Sequence, residues 1–236
     1  MQIGGLQKLT LIDFPGRLAA TVFLTGCDFR CPFCYSAELV LPEKIKNQPK
    51  LSQKEFFDFL KDRKGLLKGV VICGGEPTIN RNLAQFIKKI KDLGYLVKLD
   101  TNGSNPVMLK TLIGKKLIDY VAMDVKAPKE KYKEVVGLLG CWTDKILRNI
   151  EKSINILKES KIDFEFRTTV IPNLLKKEDI LKIAHWIKPA PKYFLQNFKP
   201  EKTIDPKFEK IKPYPQEYLL EIQKAISPFF DICQIR

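Results

Sequence analysis

Along this chain, continuous apolar runs alternate with stretches in which apolar residues return every three or four positions. The runs 19–26 (AATVFLTG), 69–73 (GVVIC), 95–100 (YLVKLD), 119–125 (DYVAMDV), 162–170 (IDFEFRTTV) and 193–198 (YFLQNF) have the length and the apolar content of buried parallel strands. Between them, 52–63, 80–94, 105–116, 143–160 and 176–188 carry helical periodicity, and a last such segment, 215–226, precedes a short closing strand at 229–235. Ser52, Asn80, Asn105 and Thr143 stand where helix N-caps belong, and Gly94 where a helix should stop. Six strand–helix units in this order predict parallel strands joined by right-handed crossovers. Eight units would close a full barrel. Six predict an α/β fold of the partial (β/α)6 TIM type, with a flat doubly wound sheet as the alternative. A single domain is expected over 1–236, with its core at about 16–200 and a terminal helix and strand in 201–236.

In such folds chemistry gathers at the carboxyl ends of the strands. The unusual residues fall there. A cysteine loop, 27-CDFRCPFCY-35, follows the first run, 73-CGGEPT-78 the second, 100-DTNG-103 the third and 124-DVK-126 the fourth. Arg167 lies in the fifth, and Gln196 with Asn197 ends the sixth.

Composition changes this picture little. The 236 residues, 44% of them hydrophobic, suffice for one medium core, and no run nears the ~20 apolar residues of a membrane span. The N-terminus has no signal-peptide layout, so a soluble, cytoplasmic protein is expected. The net charge of +14 comes from 34 Lys and only 7 Arg, set mostly at outward-facing positions. Aromatic residues do not interleave with basic ones as on a surface that stacks bases, so a solvated basic surface is expected rather than nucleic-acid binding.

The cysteines matter more. In a reducing cytosol, clustered thiols serve metals or catalysis more often than disulfides. A structural zinc site wants four closed ligands, commonly as two pairs, and no second pair exists here. His185, the only histidine, lies in a helical segment and is expected to pack or face solvent. Three thiolates at C-x3-C-x2-C suit a 4Fe–4S cluster with one iron left open for substrate. Cys73, Cys141 and Cys233 are expected to be small buried residues.

At this point the residues resemble a known family. CDFRCPFC is similar to the C-x3-C-x-aromatic-C loop of the radical S-adenosylmethionine (radical SAM) enzymes, with Phe33 as the aromatic, and GGEPT resembles their second signature. LTLIDFPGRLAATVFLTGCDFRCPFCY and LDTNG further resemble the glycyl-radical-enzyme activating group, the anaerobic ribonucleoside-triphosphate reductase activators first and the pyruvate formate-lyase activators as relatives. The likeness runs from about residue 3 to residue 200.

The resemblance implies an oxidoreductase with one 4Fe–4S cluster on Cys27, Cys31 and Cys34, and SAM chelated to its open iron. A reduced flavodoxin or ferredoxin would supply the electron. The 5′-deoxyadenosyl radical would then take hydrogen from a glycine of a glycyl-radical enzyme, the anaerobic ribonucleotide reductase subunit above all. Gly74 and Gly75 would let the backbone approach the methionine amino group, with Glu76 positioning that loop. Phe33 would pack near the adenine and Ser36 hydrogen-bond the cofactor. Asp100, Thr101 and Asp124, with a carbonyl from Ala122 or Met123, would hold K+ or Na+ beside the SAM carboxylate. Lys126 would neutralise that carboxylate, and Arg167 would contact SAM. Two departures stand out: the family's histidine on the sixth strand is replaced within 195-LQNF-198, so Gln196 or Asn197 inherits its contact, and Tyr35-Ser36 follows the third cysteine. No inserted ferredoxin-like domain is expected.

Two other readings remain. One is a radical SAM enzyme acting on a small molecule or RNA, such as a 7-deazaguanine-type synthase or a tRNA-modifying enzyme. The other, a non-enzymatic metal or redox module, leaves GGEPT, DTNG and DVK without a purpose.

Overall fold

The computed structural model describes residues 1–138 and 143–236. The chain divides into two compact units. Residues 1–28, 38–101 and 105–121 form the first, and 29–37, 102–104 and 122–236 the second.

In the first unit, β1 (Ile3–Thr10), β2 (Ala19–Leu24), β3 (Gly69–Gly74) and β4 (Leu96–Thr101) pair in that order. Strand β1 runs antiparallel to β2, while β2, β3 and β4 are parallel, with Ala19 opposite Gly69 and Gly69 opposite Leu96. Strands β2 and β3 are buried on both faces, which is why their sequences are continuous apolar runs rather than alternations. Two single-turn helices, α1 (Ala37–Val40) and α2 (Pro42–Ile45), lead into α3 (Gln53–Asp62). Helix α4 (Leu83–Asp92) joins β3 to β4, and α5 (Pro106–Gly114) follows β4.

Local chemistry explains these boundaries. Ser52 Oγ accepts from the Glu55 N–H at 3.1 Å and the Glu55 carboxylate accepts from the Ser52 N–H at 2.9 Å, a closed capping box. The Asn105 side chain accepts from the Met108 N–H at 3.1 Å. Asn80 does not cap α4, because its N–H closes the preceding turn on the Pro77 carbonyl at 3.1 Å and the helix starts three residues later. Leu83, Phe86, Ile87 and Ile90 form the buried face of α4, and the Phe86 ring stacks on Phe56 of α3 at 5.3 Å. Each such side chain contributes roughly 1.5–3 kcal/mol by leaving water.

Strand β5 (Tyr120–Asp124) begins in the first unit and ends in the second. The second unit continues with α6 (Tyr132–Val135), α7 (Thr143–Glu159), β6 (Asp163–Val170), α8 (Lys177–Ile187), β7 (Ala190–Asn197), α9 (Gln216–Ile226) and β8 (Phe230–Ile235). Strands β6, β7 and β8 are parallel, with Phe166 opposite Tyr193 and Ala190 opposite Phe230. The final residue anchors this arrangement: the Arg236 N–H donates to the Leu195 carbonyl at 2.8 Å, and its guanidinium donates to the fully buried Glu165 carboxylate at 2.9 Å.

The fold is α/β with a parallel-strand sheet, and the six expected strand–helix units are β2–α3, β3–α4, β4–α5, β5–α7, β6–α8 and β7–α9. Strand β1 was not expected. Its sequence, IGGLQKLT, has two glycines and only its ends buried, so it shows no apolar run. The buried role expected for Cys73 and Cys233 is also corrected, since both are half-buried, at the mouth of β3 and on the outermost described strand, β8. Cys141 and the side chain of Thr143 lie outside the described residues.

Candidate active site

In the first unit, the carboxyl end of β3 turns on two glycines for steric reasons. Gly74 has φ +121°, and a Cβ there would lie 2.2 Å from the Leu24 carbonyl oxygen. A Cβ on Gly75 would lie 2.0 Å from the carbonyl oxygen of Gly26, immediately before Cys27. This close approach is cemented by hydrogen bonds from the Gly75 N–H to Leu24 O at 2.9 Å and from the Glu76 N–H to Gly26 O at 2.8 Å. The GGE turn thus fixes the start of the cysteine loop.

Glu76 is buried, and a buried carboxylate needs donors. Its Oε1 accepts from the Thr78 N–H at 3.0 Å, from the Thr78 hydroxyl and from the Thr101 hydroxyl at 2.7 Å. The end of β3 and the end of β4 are locked together through one oxygen. On β4, Lys98 is only 1% exposed and its ammonium pairs directly with the Asp100 carboxylate. The two are spaced i, i+2, so they share one face of the strand. The Cys27 thiol is half-buried and donates to Asp28 Oδ1 at 3.9 Å.

The second unit holds the rest of the loop. Cys31 is buried and Cys34 half-buried, in a turn closed by the Cys34 N–H on Cys31 O at 3.0 Å. A later segment straps this turn: the Ile204 N–H donates to Cys34 O and the Asp205 N–H to Pro32 O, both at 2.9 Å. Phe33 and Phe29 are buried, and Ser36 is half-buried directly before α1. Burial pushes the Cys31 thiol up to about 12, with the nearby Lys126 charge opposing the rise.

At the end of β5, Asp124 accepts from Lys126 Nζ at 2.8 Å and from Arg167 Nε at 2.8 Å. Burial disfavours its ionised form, but the Arg167 and Lys126 charges outweigh burial and hold the carboxyl well below the ordinary range. Burial likewise works against charged Lys126, and Asp124 outweighs it and raises the ammonium above its usual value. The backbone here is set from behind. The Lys126 N–H donates to the buried Tyr132 hydroxyl at 3.3 Å, and Thr168 Oγ1 donates to Val125 O at 2.7 Å while accepting from Tyr193 OH at 2.8 Å. The turn after β4 is pinned by α7, with Ser153 Oγ on Gly103 O at 2.6 Å and Asn149 Nδ2 on Ser104 O at 2.8 Å.

At the end of β7, Asn197 donates from Nδ2 to Tyr214 O at 2.9 Å, while its Oδ1 is buried with no hydrogen-bond partner among the described residues. Gln196 is half-buried beside it in sequence. His185 is exposed and packs on the Phe229 ring at 4.7 Å, in keeping with a surface role.

The sequence reading did not single out Lys98, Thr78 or the 203–205 strap. For Lys98 a signal existed: a lysine two residues from an aspartate inside an apolar strand has few ways to be buried except by pairing. The strap acts through backbone groups and leaves no side-chain signature.

A model of the radical SAM superfamily matches residues 21–187. The chain belongs to the radical SAM superfamily. A protein of Methanocaldococcus jannaschii bearing the name "Putative glycyl-radical enzyme activating enzyme MJ1227" is 36% identical over 241 residues, covering 99% of this chain and 95% of that protein. A "Probable GTP 3',8-cyclase" of Thermococcus kodakarensis is 24% identical over 223 residues, covering 84% of this chain and 67% of that protein. Among solved structures, Streptococcus suis SuiB shares the fold with a TM-score of 0.64 at 15% identity; 91% of this chain is covered, but only 48% of SuiB.

Membership of the radical SAM superfamily implies SAM and a 4Fe–4S cluster. The donor chemistry fits: Cys27, Cys31 and Cys34 stand on one eight-residue loop, and soft sulfur donors select iron–sulfur clusters. Among the described residues no three His, Cys, Asp or Glu side chains are gathered as metal ligands.

Proposed function

We propose that this chain is a glycyl-radical-enzyme activase. The observation that carries the reading is the end-to-end match to the Methanocaldococcus protein, 99% of one chain on 95% of the other, whereas the cyclase match is weaker and covers 67% of its relative. The superfamily match runs from residue 21 to residue 187, inside the core expected at about 16–200, and the reading takes 1–236 as one catalytic domain of a cytoplasmic enzyme. Among the described residues no helix is long and apolar enough to cross a membrane.

Cys27, Cys31 and Cys34 would hold the cluster. With SAM bound, that cluster supplies reductive cleavage of a carbon–sulfur bond and a radical able to take hydrogen from a glycine Cα. The protein orients and shields that chemistry. The GGE turn offers backbone groups to the SAM amino end, and Glu76 keeps that turn rigid through Thr78 and Thr101. Lys126 and Arg167, held on Asp124, set positive charge at the end of β5 for the SAM carboxylate. Phe33 and Ser36 serve the adenosine, and the unpaired Oδ1 of Asn197 offers an acceptor in place of the family histidine. The partner is a glycyl-radical protein, with the anaerobic ribonucleotide reductase subunit the first to test, and a flavodoxin or ferredoxin donates the electron.

Anaerobic reconstitution should give about four irons per chain, and the Cys27→Ala/Cys31→Ala/Cys34→Ala variant should bind none. Formation of 5′-deoxyadenosine should then depend on a glycyl-radical protein. The GTP-cyclase relative favours a second reading, a small-molecule or RNA substrate. That reading wins if GTP, another nucleoside or tRNA stimulates SAM cleavage and glycyl-radical proteins do not.

A further inference from the structure

The donors expected for the monovalent cation that the family resemblance implies are already engaged in this chain. In the first unit, Asp100 is already paired with the ammonium of Lys98, a lysine that is 1% exposed, and the Thr101 hydroxyl is spent on Glu76 Oε1 at 2.7 Å. In the second unit, Asp124 is already paired with Lys126 and with Arg167, each at 2.8 Å. Both carboxylates expected to ligate K+ or Na+ thus carry positive charge that is covalently part of the protein. A buried lysine is costly unless its charge is met, and Asp100 meets it from the same face of the same strand. An ammonium group is close to K+ in size and charge and presents three donors where the ion would present an open coordination shell.

We infer that Lys98 replaces the exchangeable cation, so that this chain binds SAM without K+ or Na+, its own ammonium supplying the charge at Asp100. The inference rests on the pairing of these carboxylates and not on the identity of the partner protein, so its failure would leave the activase reading standing.

The test compares KCl and NaCl with tetramethylammonium chloride at equal ionic strength, reading the thermal midpoint of the apo protein and SAM affinity of the anaerobically reconstituted one. The wild type should show the same midpoint and the same SAM dissociation constant in all three salts. In Lys98→Met the Asp100 carboxylate loses its ammonium and becomes a cation site. K+ or Na+ at about ten times its dissociation constant should then raise the midpoint by about 3–5 °C over tetramethylammonium. Lys98→Met/Asp100→Asn should lose that response. Saturable stabilisation of the wild type by K+ or Na+, or tighter SAM binding in either, overturns the inference, as does a folded Lys98→Met that ignores the ions. If Lys98→Met does not fold, the wild-type comparison alone decides.

Discussion

Asp124 collects two cations, and all three side chains are largely shielded from water, at 14–22% exposure. Removing the carboxylate leaves Lys126 and Arg167 as like charges without the acceptor they share. Asp124→Asn should therefore cost about 2–3 kcal/mol in urea denaturation at pH 7, below the 3–5 of a fully buried pair because some solvent reaches the group. The pH dependence has a definite sign. The folded-state pKa is depressed, so this stabilisation is complete above the ordinary carboxylate range and is lost as pH falls through the depressed value. The gap between wild type and Asp124→Asn should stay constant from pH 6 to 8 and narrow below about pH 4. A constant gap at acid pH would mean that the charges do not interact as drawn. A second residue-scale prediction concerns Cys233, whose thiol burial pushes up to about 11 from 9.0. It is therefore poorer in thiolate than an ordinary cysteine at pH 8. Mass spectrometry after brief iodoacetamide treatment should find it largely unmodified, and rapid alkylation would show that burial does not hold the thiol protonated.

At the scale of elements, the junction of β2, β3 and the cysteine loop depends on glycines that no other residue replaces. Gly74→Ala meets a positive φ and the Leu24 carbonyl at once, and should destabilise the apo chain by about 3 kcal/mol, read by denaturant midpoint. Gly75→Ala should instead press on Gly26 beside Cys27, lowering iron incorporation more than stability. By contrast Ser52→Ala, at a cap remote in sequence from these loops, should cost about 1 kcal/mol and leave iron content unchanged. Equal effects of all three would show that the turn has no special place in the site. The elements themselves were readable from the chain because each buried parallel strand must be an apolar run and each covering helix an apolar stripe. Strand β1 was not, since an antiparallel edge with two glycines and an exposed middle carries neither signal. Asn80 misled for a related reason: a cap residue next to Pro-Thr-Ile has a tighter turn available and takes it. The cysteine loop, GGE and Asp124 were visible as motifs, whereas the Thr203–Asp205 strap works through backbone groups that any sequence supplies.

For the whole molecule, the family is established and the substrate is the proposal. The match across 99% of the chain to a protein with an activating-enzyme name makes a protein glycine the predicted hydrogen donor. The most direct measurement is electron paramagnetic resonance on the reconstituted chain mixed anaerobically with reductant, SAM and an anaerobic ribonucleotide reductase subunit. The account predicts a glycine-centred doublet, one 5′-deoxyadenosine per radical, and neither when the partner's radical glycine is changed to alanine. A chain with a full cluster and competent SAM cleavage that raises no doublet on any glycyl-radical protein, while a nucleotide or RNA accelerates that cleavage, would contradict it.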